Sequence, residues 1–251
     1  MNPALHLRRR LANLLPLLTA ERRCAACFSA FLPPPGSMGA EAFFCPACAR
    51  RLARREKGYC PLCGQPAPWP LEPPAPCSAC LISPPLWEQA FFHAIHADLL
   101  RELILRCKFQ GQLFLARPLA ALLASHPGLA VQEAEALLPI PLHPDRLAHR
   151  GFNQALEIAR PLARMLRIPL AAGLLLRTRS AFPQTGLSRS ARLHNLRQAF
   201  AAPCPGKLAG RRLMLVDDVM TTGATMHAAT AVLLAAGARS VSVAALGRTS
   251  L

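Results

Sequence analysis

Apolar and polar positions give the chain two textures. From Ala90 onward, short apolar runs alternate with segments in which apolar residues recur every three or four positions, the pattern of strands alternating with helices. Phe91–Ile95 reads as a strand, Asp98–Phe109 as a helix capped by Asp98 with Leu99 and Leu103 at helical spacing, and Gln112–Ser125 as a second helix. Ala136–Pro144 reads as a strand running into a proline-stiffened loop, followed over Asp145–Arg164 by a polar stretch and then a helix. Gly173–Leu176 and Ser240–Leu246 read as further strands. Leu213–Val216 is continuously apolar, as expected of a strand buried on both faces of a parallel sheet, and Ala224–Ala236 is an Ala-rich helix closed by Gly237. The pattern predicts an α/β domain over 88–251, a parallel sheet flanked by helices.

Before residue 88 the texture is different. Pro33–Pro35 and the stretch Pro66–Pro76 are rich in turn residues, and large aliphatics are few, so this segment cannot build a core alone. Eight of the ten cysteines fall there in four CxxC pairs: Cys24/Cys27, Cys45/Cys48, Cys60/Cys63 and Cys77/Cys80. Two such knuckles in series offer four thiolates in tetrahedral geometry to one Zn²⁺. The expectation is two closed, structural sites, one from the first two pairs and one from the last two, with crossed pairing as the alternative. Metal binding then carries the folding, at about 10 to 16 kcal/mol per site. Disulfides fit less well, because Pro46, Pro61 and Gly64 suit the tight turns of zinc knuckles and the rest of the chain has a cytosolic character. A thioredoxin-like redox role would need a surrounding βαβ pattern. Cys107 reads as a core residue and Cys204 as a loop thiol. The domains predicted are thus a leader over 1–22, a double zinc ribbon over 23–83, a linker over Leu81–Trp87, and the α/β domain.

The leader imitates a secretory signal, with a basic cluster, an apolar run and Thr19–Ala20, but Pro16 interrupts the run. No apolar stretch reaches the length of a membrane span. A cytoplasmic protein is expected.

Charge changes the picture. The 251 residues carry 29 Lys or Arg against 13 Asp or Glu, a formal net charge of +16, so polyanions are plausible partners. No acidic residue falls between Glu157 and Asp217, while eleven basic ones do, from Arg160 to Arg212. This is either a solvated basic face or a surface that meets phosphates.

Asp217 and Asp218 close that interval at the end of an apolar strand, and Thr221, Thr222, Gly223, Ala224 and Thr225 lead into a helix. Such a loop gathers unpaired N–H groups and the positive end of a helix dipole, which favours a phosphate. Gly223 permits close approach or positive φ, and the threonine hydroxyls can donate. Two carboxylates about 6 Å apart repel by roughly 3 kcal/mol at an effective dielectric near 20, so the acid pair suits hydroxyls or a cation.

A phosphate on the loop and a diol on the acids describe a ribose 5-phosphate. LMLVDDVMTTGAT closely resembles the phosphoribosyl pyrophosphate (PRPP) motif of type I phosphoribosyltransferases. That resemblance implies ribose hydroxyls on Asp217 and Asp218, the 5-phosphate on Thr221–Thr225, and Mg²⁺ bridging ribose and pyrophosphate. PIPLHPDRLAHRGFNQA over 139–155, taken with the PRPP motif and the cysteine knuckles, is similar to the ComF family, whose members include the ComFC and GntX types and are associated with competence. The family implies a pyrophosphate-binding loop at Pro141–Arg146 that includes His143, with Arg150, Asn153 and Gln154 beside it, and a hood over the site at Phe182–Phe200. Lys108, at the end of the Asp98–Phe109 segment, joins the binding set. In catalytic roles stand Asp217, Asp218 and Arg150, a guanidinium being a bidentate partner for pyrophosphate. Thr221 departs from purine-salvage members, which carry an acid there as base. Single-stranded DNA and DNA-uptake proteins are the partners the family name implies. The alternative is a non-catalytic nucleic-acid-binding module that retains the phosphoribosyltransferase fold.

Overall fold

The computed structural model describes residues 21–178 and 199–250. The chain forms two compact units, Met1–Arg51 and Leu52–Leu251.

In the first unit, strands β1 (Arg22–Arg23) and β2 (Ala30–Phe31) pair antiparallel around the Cys24–Cys27 knuckle. A 3₁₀ turn over Ala40–Ala42 leads to the second knuckle, which runs into helix α1 (Pro46–Arg51). Phe44 and Cys24 are buried. Ala25, Ala26, Phe31 and Ala42 are buried with them, as is Cys48.

The second unit begins with the other two knuckles, the last of which opens helix α2 (Ser78–Ile82). Four parallel strands follow: β3 (Gln89–Ile95), β4 (Ala136–Pro139), β7 (Arg212–Met220) and β8 (Ser240–Arg248), in the spatial order β3-β8-β7-β4. Between β3 and β4 the chain crosses the whole sheet through α3 (Asp98–Phe109), a 3₁₀ turn over Leu113–Leu115 and α4 (Ala116–Ala124). Two short helices follow in chain order, α5 (Pro127–Ala130) before β4 and α6 (Pro144–Arg150) after it. Helix α7 (Gln154–Leu166) packs on α4, and α8 (Ala224–Ala235) connects β7 to β8. Strands β5 (Leu176–Arg177) and β6 (Phe200–Ala201) pair antiparallel, and β6 lies against α8.

The core explains the order. Leu213, Met214, Leu215 and Val216 are buried, as the predicted doubly covered strand requires. Leu213, Leu215, Val241 and Val243 cluster with Met226 and Leu233 of α8 and with Trp87. Burial of each such side chain contributes about 1.5–3 kcal/mol.

The structure redraws several predicted boundaries. Asp98 is the first residue of α3, with φ of 44°, and Ala97 holds the cap position without a side-chain bond. The strand predicted over Ala136–Pro144 ends at Pro139, and Pro144 already begins α6. The central strand β7 runs four residues beyond Val216, because β8 continues to pair with it as far as Met220↔Arg248. The leader up to residue 20 and most of the hood, including Arg189, Arg192 and Arg197, lie outside the described residues.

Candidate functional site

The four strands of the sheet end at different heights. Ile140 N–H donates to Val216 O (2.8 Å), and beyond that point β7 is flanked by β8 alone. Asp217 and Asp218 occupy this stretch, at the carboxyl ends of parallel strands, where open α/β sheets bind ligands. Their own carboxylates take up amides there: Asp218 N–H donates to Asp217 Oδ1 and Val219 N–H to Asp218 Oδ1, both at 2.8 Å.

The two acids differ in surroundings. Asp218 is 5 % exposed, and its Oδ2 accepts from Lys108 Nζ at 3.1 Å, a contact bridging the end of α3 to β7. Burial pushes the Asp217 carboxyl well above the ordinary carboxylate range, the charge of Asp218 adds to the shift, and Lys108 opposes it. The pair thus holds a proton more readily than two separate carboxylates would, with Asp218 tied to the lysine.

After β7 the chain turns through Thr221 and Thr222 to Gly223, whose φ of 79° lies in the left-handed region that favours glycine. Gly223 caps α8 by its backbone alone, and Thr222 Oγ1 accepts from Ala224 N–H at 3.3 Å. Thr221 and Thr222 are exposed, while Ala224 and Thr225 are half-buried in the first turn of α8. The glycine turn and the helix N-terminus fall where the pattern placed them, while the strand runs on through both acids to Met220.

The residues from the other loop divide. The Arg150 guanidinium carbon lies 5.6 Å from the centre of the Phe109 ring, which brings Arg150 to the end of α3. His143 is engaged locally: its Nδ1 accepts from Asp145 N–H, capping α6, and lies 3.2 Å from Asp145 Oδ2. Asn153 caps α7 and donates from Nδ2 to Ile140 O at 3.0 Å, tying the loop to the end of β4. Gln154 is buried and donates to Ile104 O at 3.1 Å. These two amides fasten the scaffold.

Two residues, His96 and Arg248, belong to no motif of the sequence, while Arg177 follows the Gly173–Leu176 run and opens the stretch that leads into the hood. His96 follows β3; its Nε2 is buried and lacks a partner among the described residues, and burial holds its pKa below the ordinary value while Asp218 pulls it up. Arg177 lies over the Phe200 ring at 5.4 Å and feels the charge of Asp217. Arg248, at the end of β8, is 3 % exposed. Their common signal is position, since each sits at or just past the carboxyl end of a strand.

Both cysteine groups close. Cys24, Cys27, Cys45 and Cys48 bring their sulfurs within 4.8 Å of one another, and so do Cys60, Cys63, Cys77 and Cys80, which fixes the in-series pairing over the crossed one. The cross-knuckle contacts Cys27–Cys45 and Cys63–Cys77 are 3.8 Å. A Zn–S distance near 2.3 Å in a tetrahedron requires sulfurs about 3.8 Å apart, so the donor sets fit zinc. The Ser29 hydroxyl and amide lower the Cys27 thiol to about 6, while burial raises Cys48 and Cys80 and pushes Cys63 up to about 11.

A four-stranded parallel sheet with a carboxyl pair on its central strand and a glycine-capped helix behind it is the frame of a phosphoribosyltransferase-like domain. The model of that family, described as the phosphoribosyl transferase domain, matches residues 153–249. The chain is 35 % identical over 210 residues to the DNA utilization protein YhgH of Escherichia coli O6:H1, covering 82 % of this chain and 90 % of the relative. It is 33 % identical to Competence protein F of Haemophilus influenzae (81 % and 90 %) and 30 % identical to Competence protein ComFC of Bacillus subtilis (77 % and 78 %). The chain belongs to the ComF family. Among the described residues no helix is long and apolar enough to cross a membrane.

Proposed function

We propose that the larger unit binds PRPP or ribose 5-phosphate and acts as a phosphoribosyltransferase in the use of external DNA. The observation that carries this reading is the adjacency of Asp217 and Asp218, past the end of β4, to the Gly223 turn and the first turn of α8. Asp217 and Asp218 accept the ribose hydroxyls, and Thr221–Thr225 hold the 5-phosphate. Arg150 and Lys108 supply positive charge to the pyrophosphate, with the His143 loop beside them. Mg²⁺ fits the same carboxylates and would offset charge on the leaving pyrophosphate. Positioning the ribose and binding pyrophosphate supply the rate enhancement for displacement at the anomeric carbon. Thr221, in place of an acid, disfavours a nucleobase acceptor.

The names of the relatives, competence and DNA utilization, support the link to DNA, as does the net charge of +16. Single-stranded DNA and DNA-uptake proteins are the partners of this reading.

Calorimetry with PRPP and Mg²⁺ tests it. Charge-assisted hydrogen bonds contribute about 1.5–3 kcal/mol each, so the double variant Asp217→Asn, Asp218→Asn should bind roughly a hundredfold more weakly while remaining folded. Equal affinity in that variant would move the ligand elsewhere.

A further inference from the structure

Arg248 is almost wholly buried, and its guanidinium reaches acceptors on two sides. On one side Nε donates to Cys63 O (2.8 Å) and Nη2 to Gln65 Oε1 (3.1 Å), both in the third cysteine knuckle. On the other, Nη1 donates to Met220 O (3.2 Å), to Thr221 O and to Thr249 O (2.8 Å). The acceptors are four carbonyls and one amide oxygen. Among the described residues none is a carboxylate.

A buried guanidinium needs a counter-charge, and the bonds to Cys63 O and Gln65 Oε1 set this one against the second cysteine group. Four thiolates around a divalent zinc would carry a net charge of about −2, so the second cysteine group, with zinc bound, would supply the counter-charge for Arg248.

The other side of Arg248 faces the turn that follows Asp217 and Asp218. In a trans peptide the C=O and the following N–H point in opposite directions. Drawing the carbonyls of Met220 and Thr221 onto Arg248 therefore aims the N–H groups of Thr221 and Thr222 away from it. Among the described residues neither amide has an internal acceptor.

We propose that Arg248 is a positioning residue that links the Cys60/Cys63/Cys77/Cys80 group to the phosphate turn, holding two carbonyls inward so that the amides of Thr221 and Thr222 face a phosphate. This rests on the sugar-phosphate reading above, and it gives the second metal site a role in ligand binding beyond holding its own knuckles.

The experiment uses the full chain with ribose 5-phosphate as probe, read by calorimetry, by amide hydrogen exchange and by metal content. In the wild type the Thr221 and Thr222 amides should exchange freely without ligand and gain at least about tenfold protection when it is bound. Arg248→Gln should keep its metal, lose that protection and bind at least about tenfold more weakly, the equivalent of one lost hydrogen bond to a charged group. Arg248→Lys, which keeps the charge without the planar fork, should recover only part of the affinity. Wild-type affinity in Arg248→Gln, with binding still lost in the Asp217→Asn, Asp218→Asn protein, would overturn the proposal and leave the sugar-phosphate reading intact. No binding by the wild type would overturn both. Should Arg248→Gln fail to fold, the wild-type exchange pattern decides: amides already protected without ligand, or unchanged by it, would overturn the proposal.

Discussion

Asp217 and Asp218 are chemically identical neighbours in different surroundings. Lys108 holds Asp218, whereas Asp217 is pushed toward its protonated form by burial and by Asp218. An unfolded chain would titrate Asp217 near 3.9. The folded pKa lies above that value, so the folded state binds the proton more tightly. Stability from this group is fully present below the unfolded pKa and is lost as pH rises through the folded one. Asp217→Asn should therefore make the ligand-free protein more stable than wild type at neutral pH, with the gap closing as the pH falls toward 4, while weakening ribose 5-phosphate binding. Thermal unfolding across that range checks it; an Asn variant less stable at pH 7 would mean that the carboxylate supports the fold. The acid pair was legible in the sequence because two carboxylates after an apolar run have no packing reason to be there. Arg248 was not, because its significance lies in two carbonyls and a knuckle far away in the chain.

At the scale of elements, periodicity recovered the extent of α3 but not its cap, and it placed α8 within one residue of its end, where apolar spacing and a glycine stop signal agree. It shortened β7, because aspartate is unfavourable in strands and the apolar run stops at Val216. Pairing with β8 overrides that preference. It lengthened β4, whose register with β7 stops at Pro139↔Val216 before the proline-stiffened loop. The cysteine knuckles were legible from spacing alone, since a metal site needs ligands at fixed intervals and little else. Metal analysis of protein purified under reducing conditions should give two zinc ions per chain. A metal-free protein with four disulfides would overturn that assignment, and a ratio near one would leave one knuckle pair without its ion.

For the whole molecule, charge is the outstanding property, and it is not all available to a polyanion. Arg55 is turned onto Gly58 O through Nε and Nη2, and Arg54 pairs with Glu56, so the basic run after Arg51 is partly spent on its own turn. Single-stranded DNA should bind weakly, with a log–log salt slope near −0.7 per neutralised phosphate. PRPP should compete, and neutralising Arg189, Arg192 and Arg197 should flatten the slope. Binding indifferent to PRPP would place the DNA surface away from the sugar-phosphate site. The two cysteine groups, alike in ligands, differ in what depends on them. The second shares a compact unit with the sheet, where Trp87 Nε1 donates to Leu62 O at 2.7 Å and a Cβ on Gly64 would stand 2.5 Å from the Phe92 ring. If Arg248 couples the two as proposed, Cys60, Cys63, Cys77 and Cys80 share the fate of the Thr221–Thr225 turn over descent: a lineage that keeps the turn has reason to keep those four, and one that loses them has reason to lose both.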